Sequence, residues 1–335
     1  MARLGKELPV SFRLTDGERD ELGNLLLSAT TSPFMSYEKH LSEIQAVVQH
    51  SDFPQRIRRL CEERKRLDEV EFPFAYIKNC PIDPELPEFG WDNPVEDKRR
   101  LKKTFVAEGV LSMFAILFDT PVVGHLSAND GDAFHDIRPM KALAASQSQK
   151  ALKDLRFHKD FVGHYARPDY VYNITLHSHP SNETYSTFVR DLDVINSLSN
   201  EARKVAGERE FHTPIDDISK LGSTVKSSDL PPHALIENGN SIRIFESKTH
   251  GLSDRAEEVV GAVLSAIHAN KYCTFFEKGD AMLIKNNHSL HAREVFAVGD
   301  EEELKKRWMI KTHNVKSYKN FEKYFMEDRY AVVNG

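Results

Sequence analysis

The chain has 335 residues, of which 40% are hydrophobic and 29% charged, and its formal net charge is −6. This composition is that of an ordinary globular protein, and a chain of this length can bury a large core. The negative charge and the lack of a basic stripe with interleaved aromatics argue against a nucleic-acid partner. The sequence contains no run of about 18 apolar residues, so no membrane span is predicted.

The compartment is indicated by the first residues and by the cysteines. The segment "MARLGKELPVSFRLTDGERDEL" lacks the apolar region of a signal peptide. Cys61, Cys80 and Cys273 are scattered and form neither a metal-type pair nor an even-numbered disulfide framework. We therefore expect reduced thiols and a cytoplasmic protein.

Residues 1–120 are predicted to be mainly helical. "TDGERDELGNLLLSA" begins at a predicted cap, Thr15, and places Leu22, Leu25 and Leu26 on one face. "YEKHLSEIQAVVQH" and "FPQRIRRLCEERKRLDEV" repeat the helical pattern, and "FAYIKNCPIDPELP" predicts a short strand that leads into a loop. "DKRRLKKTFVAEGVLSMFAILF" predicts one further helix, and its basic run at residues 98–103 is expected to form a solvated face.

After Pro121 the pattern changes to short β-rich runs. "DYVYNITLHS", "SIRIFES" and "AMLIKNN" are typical of strands, and "SDRAEEVVGAVLSAIHAN" predicts a late helix capped by Ser253. Neither a long linker nor an internal repeat divides the chain. We therefore predict an α+β fold in a single domain of residues 1–335. Helices of residues 1–120 would flank a mainly β core of residues 121–335, a barrel or double sheet with inserted helices.

A candidate metal site lies in "FHKDFVGHYARPDY", where His158 precedes Asp160 by two residues. Residues two apart on a strand point to the same face, so this imidazole and this carboxylate can meet one ion. Non-haem Fe(II) oxygenases add one further histidine and keep coordination positions open. "GDAMLIKNNHSLHAREVF" supplies His291 after a predicted turn and strand, whereas the neighbouring His288 would face the opposite way.

A candidate anion receptor follows His291 in the chain. Arg307 opens the apolar segment "RWMIK", and a guanidinium makes a bidentate, permanently charged pair with a carboxylate. Histidine, acid, histidine and arginine therefore occur in the order that a site for Fe(II) and 2-oxoglutarate needs.

These motifs together resemble the clavaminate synthase-like branch of the Fe(II)/2-oxoglutarate oxygenases, and within it the asparagine-oxygenase and arginine- or lysine-hydroxylase group. The resemblance runs over residues 132–311 and rests on "HDIRP", "FHKDFVGHYARPDYVYNITLHS", "GDAMLIKNNHSLHAREVF" and "RWMIK". It implies a double-stranded β-helix, or jelly roll, flanked by helices.

The resemblance also implies a set of site residues. The iron ligands would be His158, Asp160 and His291, and the 2-oxoglutarate contacts would be Arg307, Thr187 and Arg293. The residues that would contact the substrate are Gln147, Gln149, Asp136, Lys311 and Glu246.

Some of these residues also fit an interpretation in which they do not contact a ligand. The two glutamines equally fit a surface loop, Asp136 with Arg138 equally fits a buried ion pair, and His164 fits a position behind the ligands. Lys311 stands where relatives carry an arginine for the substrate carboxylate, and only Glu246 stands where arginine hydroxylases carry several acids. These two departures argue against a guanidinium substrate.

The activity implied is hydroxylation of an unactivated carbon of a free amino acid or close derivative. It would use Fe(II), 2-oxoglutarate and O2, release succinate and CO2, and benefit from ascorbate in vitro. The partner would be a small molecule. A carrier-bound or modified amino acid, and desaturation or cyclisation at the same centre, stay open. Asp160 argues against halogenation, since halogenating relatives carry a small residue there.

Two alternatives come from other classes of protein. "LHSHPSNE" matches the ligand spacing of a cupin metal site through His177, His179 and Glu183, although the later cupin segment has no match. The second alternative is a metal-free β-barrel that acts as a binding module, and the presence of all three candidate iron ligands argues against it.

Overall fold

The computed structural model of the chain describes residues 5–215 and 230–334. In these residues two β-sheets face each other, and helices cover the outer face of each. The α-helices are α1 (Asp16–Leu26), α2 (Tyr37–Gln49), α3 (Gln55–Lys65), α4 (Pro94–Leu101), α5 (Val106–Leu117), α6 (Asp191–Ser197), α7 (Asn200–Ala206), α8 (Asp254–Asn270) and α9 (Glu301–Lys306). None of the described helices is long and apolar enough to cross a membrane.

The strands are short in the flanking segments and longer in the centre. They are β1 (Lys6–Glu7), β2 (Phe12–Arg13), β3 (Phe74–Lys78), β4 (Val122–His125), β5 (His135–Ile137), β6 (Leu155–His158), β7 (Tyr170–His177), β8 (Asn182–Arg190), β9 (Phe211–His212), β10 (Ile236–Glu237), β11 (Ser241–Ile242), β12 (His250–Gly251), β13 (Tyr272–Thr274), β14 (Ala281–Lys285), β15 (Ser289–Val298), β16 (Trp308–Asn314) and β17 (Val332–Val333).

Strands that are distant in the chain are neighbours in both sheets. The larger sheet has the order β17-β4-β16-β7-β14-β3-β2, with β5 also paired to β16, and the smaller sheet has the order β1-β13-β8-β15-β6. The central pairs β14 with β7, β16 with β7, β15 with β8 and β15 with β6 are antiparallel. This order brings β6, β15 and β16, which carry the predicted site residues, around one space between the sheets.

Strand β7 is buried along nearly its whole length because both of its faces are covered. Tyr172 and Ile174 pack with the N-terminal helices, while Asn173 and Thr175 alternate with them and line the space between the sheets. A strand that is buried on both faces is usually apolar at every position. The two polar residues are therefore unusual, and they face the predicted site.

The helical layer on the larger sheet is built around α5, whose residues are nearly all buried. Helices α1 and α2 approach it closely at Gly109, where a Cβ atom would lie 3.0 Å from Leu26 and 3.1 Å from Ile44. The outer face of the smaller sheet is covered by α6, α7 and α8, whose apolar residues pack against Val189, Leu290 and other strand residues.

Most of the predicted elements are confirmed. Helix α1 begins at the predicted cap, and Thr15 and Glu18 form a reciprocal capping box. Helices α2 and α3 and strands β3, β7 and β14 match their segments, and Ser253 caps α8 by accepting from the Ala256 amide. All three cysteines are buried and free. The predicted strand "SIRIFES" is limited to β11, which pairs only with β10.

The single helix predicted over "DKRRLKKTFVAEGVLSMFAILF" is wrong, since the segment forms α4 and α5 with a break at residues 102–105. Asp83 causes the break. Its carboxylate accepts from the amides of Val106 at 3.1 Å and Ala107 at 3.3 Å, and from the Thr104 hydroxyl at 2.8 Å. A remote acid therefore caps α5 at a point that helical periodicity does not mark.

The solvated face predicted for residues 98–103 is also wrong at two positions. The ammonium of Lys98 lies 2.6 Å from Asp136, and that of Lys102 lies 2.8 Å from Asp83 and 2.5 Å from Glu108, with no exposed side-chain surface on either lysine. A buried ammonium requires a paired acid. Asp83 and Asp136 are outside the segment, so the basic run alone gave no sign of its partners.

Candidate metal centre

His158, Asp160 and His291 converge at one end of the space between the sheets, and their ligand atoms lie within 4.8 Å of one another. His291 on β15 lies directly opposite His158 on β6 in the antiparallel register, and Asp160 follows β6 by two residues. Asp160 Oδ1 lies 3.4 Å from His158 Nε2 and 3.6 Å from His291 Nε2. Within residues 5–215 and 230–334 this is the only group of three or more His, Cys, Asp or Glu side chains that converges in this way.

The three side chains direct electron-pair donor atoms toward one another, as the ligands of a metal ion do. Nδ1 of His158 donates to the carbonyl of Arg156 at 2.8 Å, so a neutral ring directs its Nε2 lone pair toward Asp160. Burial, assisted by the proximity of His158, lowers the pKa of His291 to about 4, which keeps that ring neutral at neutral pH. A carboxylate oxygen facing two imidazole lone pairs needs a cation between them. The donor set therefore fits a divalent metal ion with open positions.

The backbone of Asp160 is fixed by a neighbouring amide. Asn286 Oδ1 accepts from the Asp160 amide at 3.1 Å, and its Nδ2 donates to the Pro168 carbonyl at 2.9 Å. Asn287 Nδ2 donates to Asp169 at 2.7 Å. The two asparagines and the Pro-Asp dipeptide of the resemblance motifs are thus parts of one brace around the ligand loop.

We expect Asn286→Ala to loosen this loop. The change leaves a buried amide and a buried carbonyl without partners, which costs about 1–3 kcal/mol for each unsatisfied group. Loss of support behind a ligand lowers metal affinity by about 10- to 100-fold. Thermal unfolding and a Co²⁺ titration of the purified protein measure the two effects. Asn270→Ala, which removes bonds to Ser197 and Ala266 far from this loop, is the control and should leave Co²⁺ affinity unchanged.

The second oxygen of Asp160 is held by strand β16. Oδ2 accepts from Lys311 Nζ at 2.5 Å and from His313 Nε2 at 2.9 Å. Burial would raise the pKa of Asp160, but the charge of Lys311, with further contributions from the neighbouring imidazoles of His158, His291 and His313, lowers it well below its usual value. The carboxylate is therefore ionised, and its two oxygens have different partners.

A cavity of about 940 Å³, counting its open mouth, extends from His158 and His291 to Arg307. Arg307 donates through Nη2 to the Ala151 carbonyl at 3.1 Å, whereas its Nε and Nη1 have no partner among the described residues. Burial lowers the pKa of Arg307 to about 10, which still leaves it protonated at neutral pH. A buried guanidinium with two unpaired nitrogens requires an anion.

Other polar atoms in the same cavity also lack partners in the part of the chain that the structure describes. They are Asn173 Oδ1, Thr175 Oγ1 and Thr184 Oγ1. Buried polar groups are normally hydrogen-bonded. Together with the Arg307 guanidinium, these groups make the cavity suited to a small polar anion that also carries hydrogen-bond donors or acceptors.

Arg293 has a different environment from Arg307, although both are buried beside the cavity. Its guanidinium donates to the carbonyls of Gln149, Ala151 and Lys153, at 3.2, 3.0 and 2.6 Å respectively. Burial, with a further contribution from the charge of Arg307, lowers the pKa of Arg293 well below its usual value. Arg293 thus braces the loop of residues 148–153; it also lines the cavity, and its contact with 2-oxoglutarate stays a prediction.

Thr187, the predicted hydroxyl partner of Arg307, lies on the wrong face of β8. Its neighbour Phe188 lines the cavity, and Thr187 does not. Ser186, one residue earlier, does line it. Side chains alternate along a strand, so an uncertainty of one residue in sequence exchanges the two faces.

A second cavity, of about 530 Å³ counting its open mouth, is lined by His158 and Asp160 among others. Gln149 and Lys311 line both cavities. Gln147 lines only the second of these, and its amide is bound to the Asp154 carbonyl at 3.2 Å and the Arg156 amide at 3.1 Å. Gln149 is therefore the glutamine whose side chain is available to a ligand.

The two acids predicted to contact substrate are not at this site. Glu246 accepts from the Phe157 amide at 3.0 Å and from His268 at 2.8 Å, and it lines neither cavity. Asp136 is bound to Lys98 at 2.6 Å and to the Trp308 indole at 2.9 Å. The buried ion pair considered for Asp136 is thus present, with Lys98 in place of Arg138.

The competing histidines are also placed elsewhere. His177 bonds to Glu303 at 2.8 Å and His179 to Ser181 at 2.6 Å, and Glu183 pairs with Ala297 near the far end of β8. The cupin-type site is therefore not formed among the described residues. His164 is buried behind Phe161 and is not one of the three converging ligands.

Three residues at the site were missed in the sequence. His313 is two residues after Lys311 and shares its strand face, so the same spacing argument that linked His158 to Asp160 applies to it. Asn173 and Thr175 could have been found as polar residues at alternate positions of an otherwise apolar strand.

No protein-family model matches the sequence. Among solved structures, the chain is similar to an asparagine oxygenase in complex with Fe(II), (2S,3S)-3-hydroxyasparagine and succinate, with a TM-score of 0.82, 18% identity, and coverage of 97% of this chain and 99% of that one. It is also similar to the non-haem iron oxygenase OrfP in complex with Fe, succinate and (3S)-hydroxy-L-Arg, with a TM-score of 0.78, 18% identity, and coverage of 98% and 100%. Another OrfP structure contains Fe and alpha-ketoglutaric acid.

A curated relative is the L-lysine 3-hydroxylase of Catenulispora acidiphila, which is 22% identical over 182 residues. The match covers 52% of this chain and half of the relative's length. These proteins are the oxygenases and hydroxylases of the group that the motifs resemble, so the resemblance is confirmed. At these identities the structural likeness establishes the fold, a mixed arrangement of helices and sheets shared with iron oxygenases.

Proposed function

We propose that this chain is a non-haem Fe(II)/2-oxoglutarate-dependent dioxygenase that hydroxylates an unactivated carbon of a free amino acid or close derivative, with release of succinate and CO2. The proposal rests on the cavity that extends from the candidate metal ligands to Arg307. At one end lie three converging acceptors of the type that binds Fe(II). At the other end lies a buried guanidinium with unpaired nitrogens.

Each of these residues has a role in the proposal. His158, Asp160 and His291 would hold the iron, and Arg307 would pair with the distal carboxylate of 2-oxoglutarate. Bound iron supplies the redox chemistry by which O2 and 2-oxoglutarate oxidise a C–H bond. The protein's contribution is to bind and orient the reactants and to exclude water, which the burial of Asp160 and Arg307 favours.

The proposal extends to the architecture. The two facing sheets would be the halves of a double-stranded β-helix, and residues 1–335 would form one oxygenase domain in which the first 120 residues are a helical flank. The nearly complete coverage of the two oxygenase structures supports this proposal.

A free amino acid is the proposed substrate class because two relatives are bound to hydroxylated asparagine and hydroxylated arginine. In this chain Gln149 and Lys311 border the second cavity beside the metal ligands. An amide and an ammonium are suitable partners for the carboxylate and other polar groups of an amino acid.

The test is succinate formation by the purified protein with Fe(II), ascorbate and 2-oxoglutarate, screened across the free amino acids under air and under nitrogen. We expect oxygen-dependent succinate that one amino acid stimulates. Stimulation only by modified or carrier-bound amino acids would keep the chemistry and change the substrate. Lack of iron binding would contradict the proposal and favour a non-catalytic binding module.

A further inference from the structure

The carboxylate of Asp160 has a resident cation of its own. Lys311 Nζ lies 2.5 Å from Oδ2, and the two side chains are only 8% and 7% exposed. Asp160 follows β6 of the smaller sheet, while Lys311 is on β16 of the larger sheet. The ion pair therefore joins the two sheets directly behind the ligand atoms.

The same oxygen has a second donor. His313 Nε2 lies 2.9 Å from Oδ2, farther than Lys311 Nζ at 2.5 Å. Of these two donors, the ammonium of Lys311 is the nearer to the carboxylate. A buried carboxylate without a counter-charge is strongly unfavourable, so Lys311 compensates Asp160 whenever the site holds no metal.

A bound metal changes this balance. A metal held by His158, Asp160 and His291 would give Asp160 a second cationic partner. Two cations then share one carboxylate at short range, and like charges at such distances repel even at the effective dielectric constant of a protein interior. Lys311 must therefore stabilise the metal-free protein more than the metal-loaded protein.

We propose that Lys311 is the internal counter-ion of Asp160: it keeps the three ligands assembled while the site is empty, and a bound metal takes over part of its role. The inference rests on the proposed metal site. It is distinct from the substrate-carboxylate role that the resemblance implies for this position, because it concerns the contact of the ammonium with the ligand carboxylate.

The expected results for Lys311→Met follow from linkage. Removing one partner of a buried ion pair should lower the melting temperature of the metal-free protein by about 5–10 °C. Since coupling between two binding events is reciprocal, loss of the lysine should tighten Co²⁺ binding, by about tenfold. Saturating Co²⁺ should then close most of the gap in melting temperature between the variant and the wild type.

The experiment is thermal unfolding and calorimetric Co²⁺ titration of the full chain, without 2-oxoglutarate or amino acid. Lys311→Gln, which keeps an N–H donor but removes the charge, is a milder second variant should Lys311→Met fail to fold, and it should behave in the same direction. Lys311→Arg keeps the charge and should restore wild-type values. Lys102→Met is the matched control, since it breaks a buried ion pair with Asp83 and Glu108 away from the ligands.

Each outcome decides the proposal. A gap that closes with Co²⁺ for the Lys311 variants and persists for Lys102→Met supports the counter-ion role. A gap that persists for both makes Lys311 merely structural and overturns it, as does an unchanged melting temperature of the metal-free Lys311 variants. If the wild type binds no Co²⁺ at all, the proposed metal site is wrong, and this inference is wrong with it. If the wild type binds Co²⁺ but the gap in melting temperature persists, only the inference about Lys311 is wrong.

Discussion

Replacing His158 with alanine is expected to abolish metal-dependent succinate formation while leaving the fold intact. His158 supplies one of only two imidazoles in the converging set, and bound metal supplies several kcal/mol of transition-state stabilisation, so the rate should fall by at least about 1000-fold. The side chain otherwise stacks on Phe245 and donates to the Arg156 carbonyl. Its removal should therefore lower the melting temperature only modestly. Succinate assays and circular dichroism on one preparation measure both effects.

His250→Ala is the matched control for that experiment. His250 is exposed on β12, where it pairs with His212, and it is neither one of the converging side chains nor part of the lining of either cavity. The control should retain both turnover and metal binding. Full activity in His158→Ala would show that the three converging side chains are not the metal site.

The ligand set could be predicted because its information is local. His158 and Asp160 are two residues apart, and period-two alternation places them together without any knowledge of the remaining fold. The later histidine and Arg307 were found by chain order and by resemblance. The structure shows why a histidine so much later in the chain can complete the ligand set: His291 lies opposite His158 in the antiparallel strand register.

Other features could not be predicted because they depend on pairing between distant segments. Asp136 and Asp83, which pair with Lys98 and Lys102, lie outside the predicted helical segment, so a basic run that resembled a solvated face is partly a set of buried ion pairs. Thr187 was placed in the site through a one-residue error, since Ser186 and Phe188 on either side of it line the cavity and Thr187 does not. Polar residues on a buried strand indicate which of its faces lines a site, but a single sequence does not show which sheet the strand belongs to.

Arg293 and Arg307 provide a second, internally controlled experiment because they are buried side by side with different partners. The Arg293 guanidinium is saturated by backbone carbonyls of the loop of residues 148–153. That of Arg307 makes one bond, to the Ala151 carbonyl, which Arg293 also contacts at 3.0 Å. Removing Arg293 therefore strips partners from the loop, whereas removing Arg307 leaves the Ala151 carbonyl satisfied.

We expect Arg307→Met to raise the 2-oxoglutarate concentration needed for half-maximal turnover by about 30-fold or more, because truncating one partner of a buried charge pair costs about 2–5 kcal/mol. In the ligand-free protein the same change removes a buried, partly unpaired charge. Its melting temperature should therefore stay the same or rise. Arg293→Met should lower the melting temperature instead. An unchanged 2-oxoglutarate requirement in Arg307→Met, measured by succinate formation, would remove this guanidinium from the co-substrate site and leave its unpaired nitrogens to another anion.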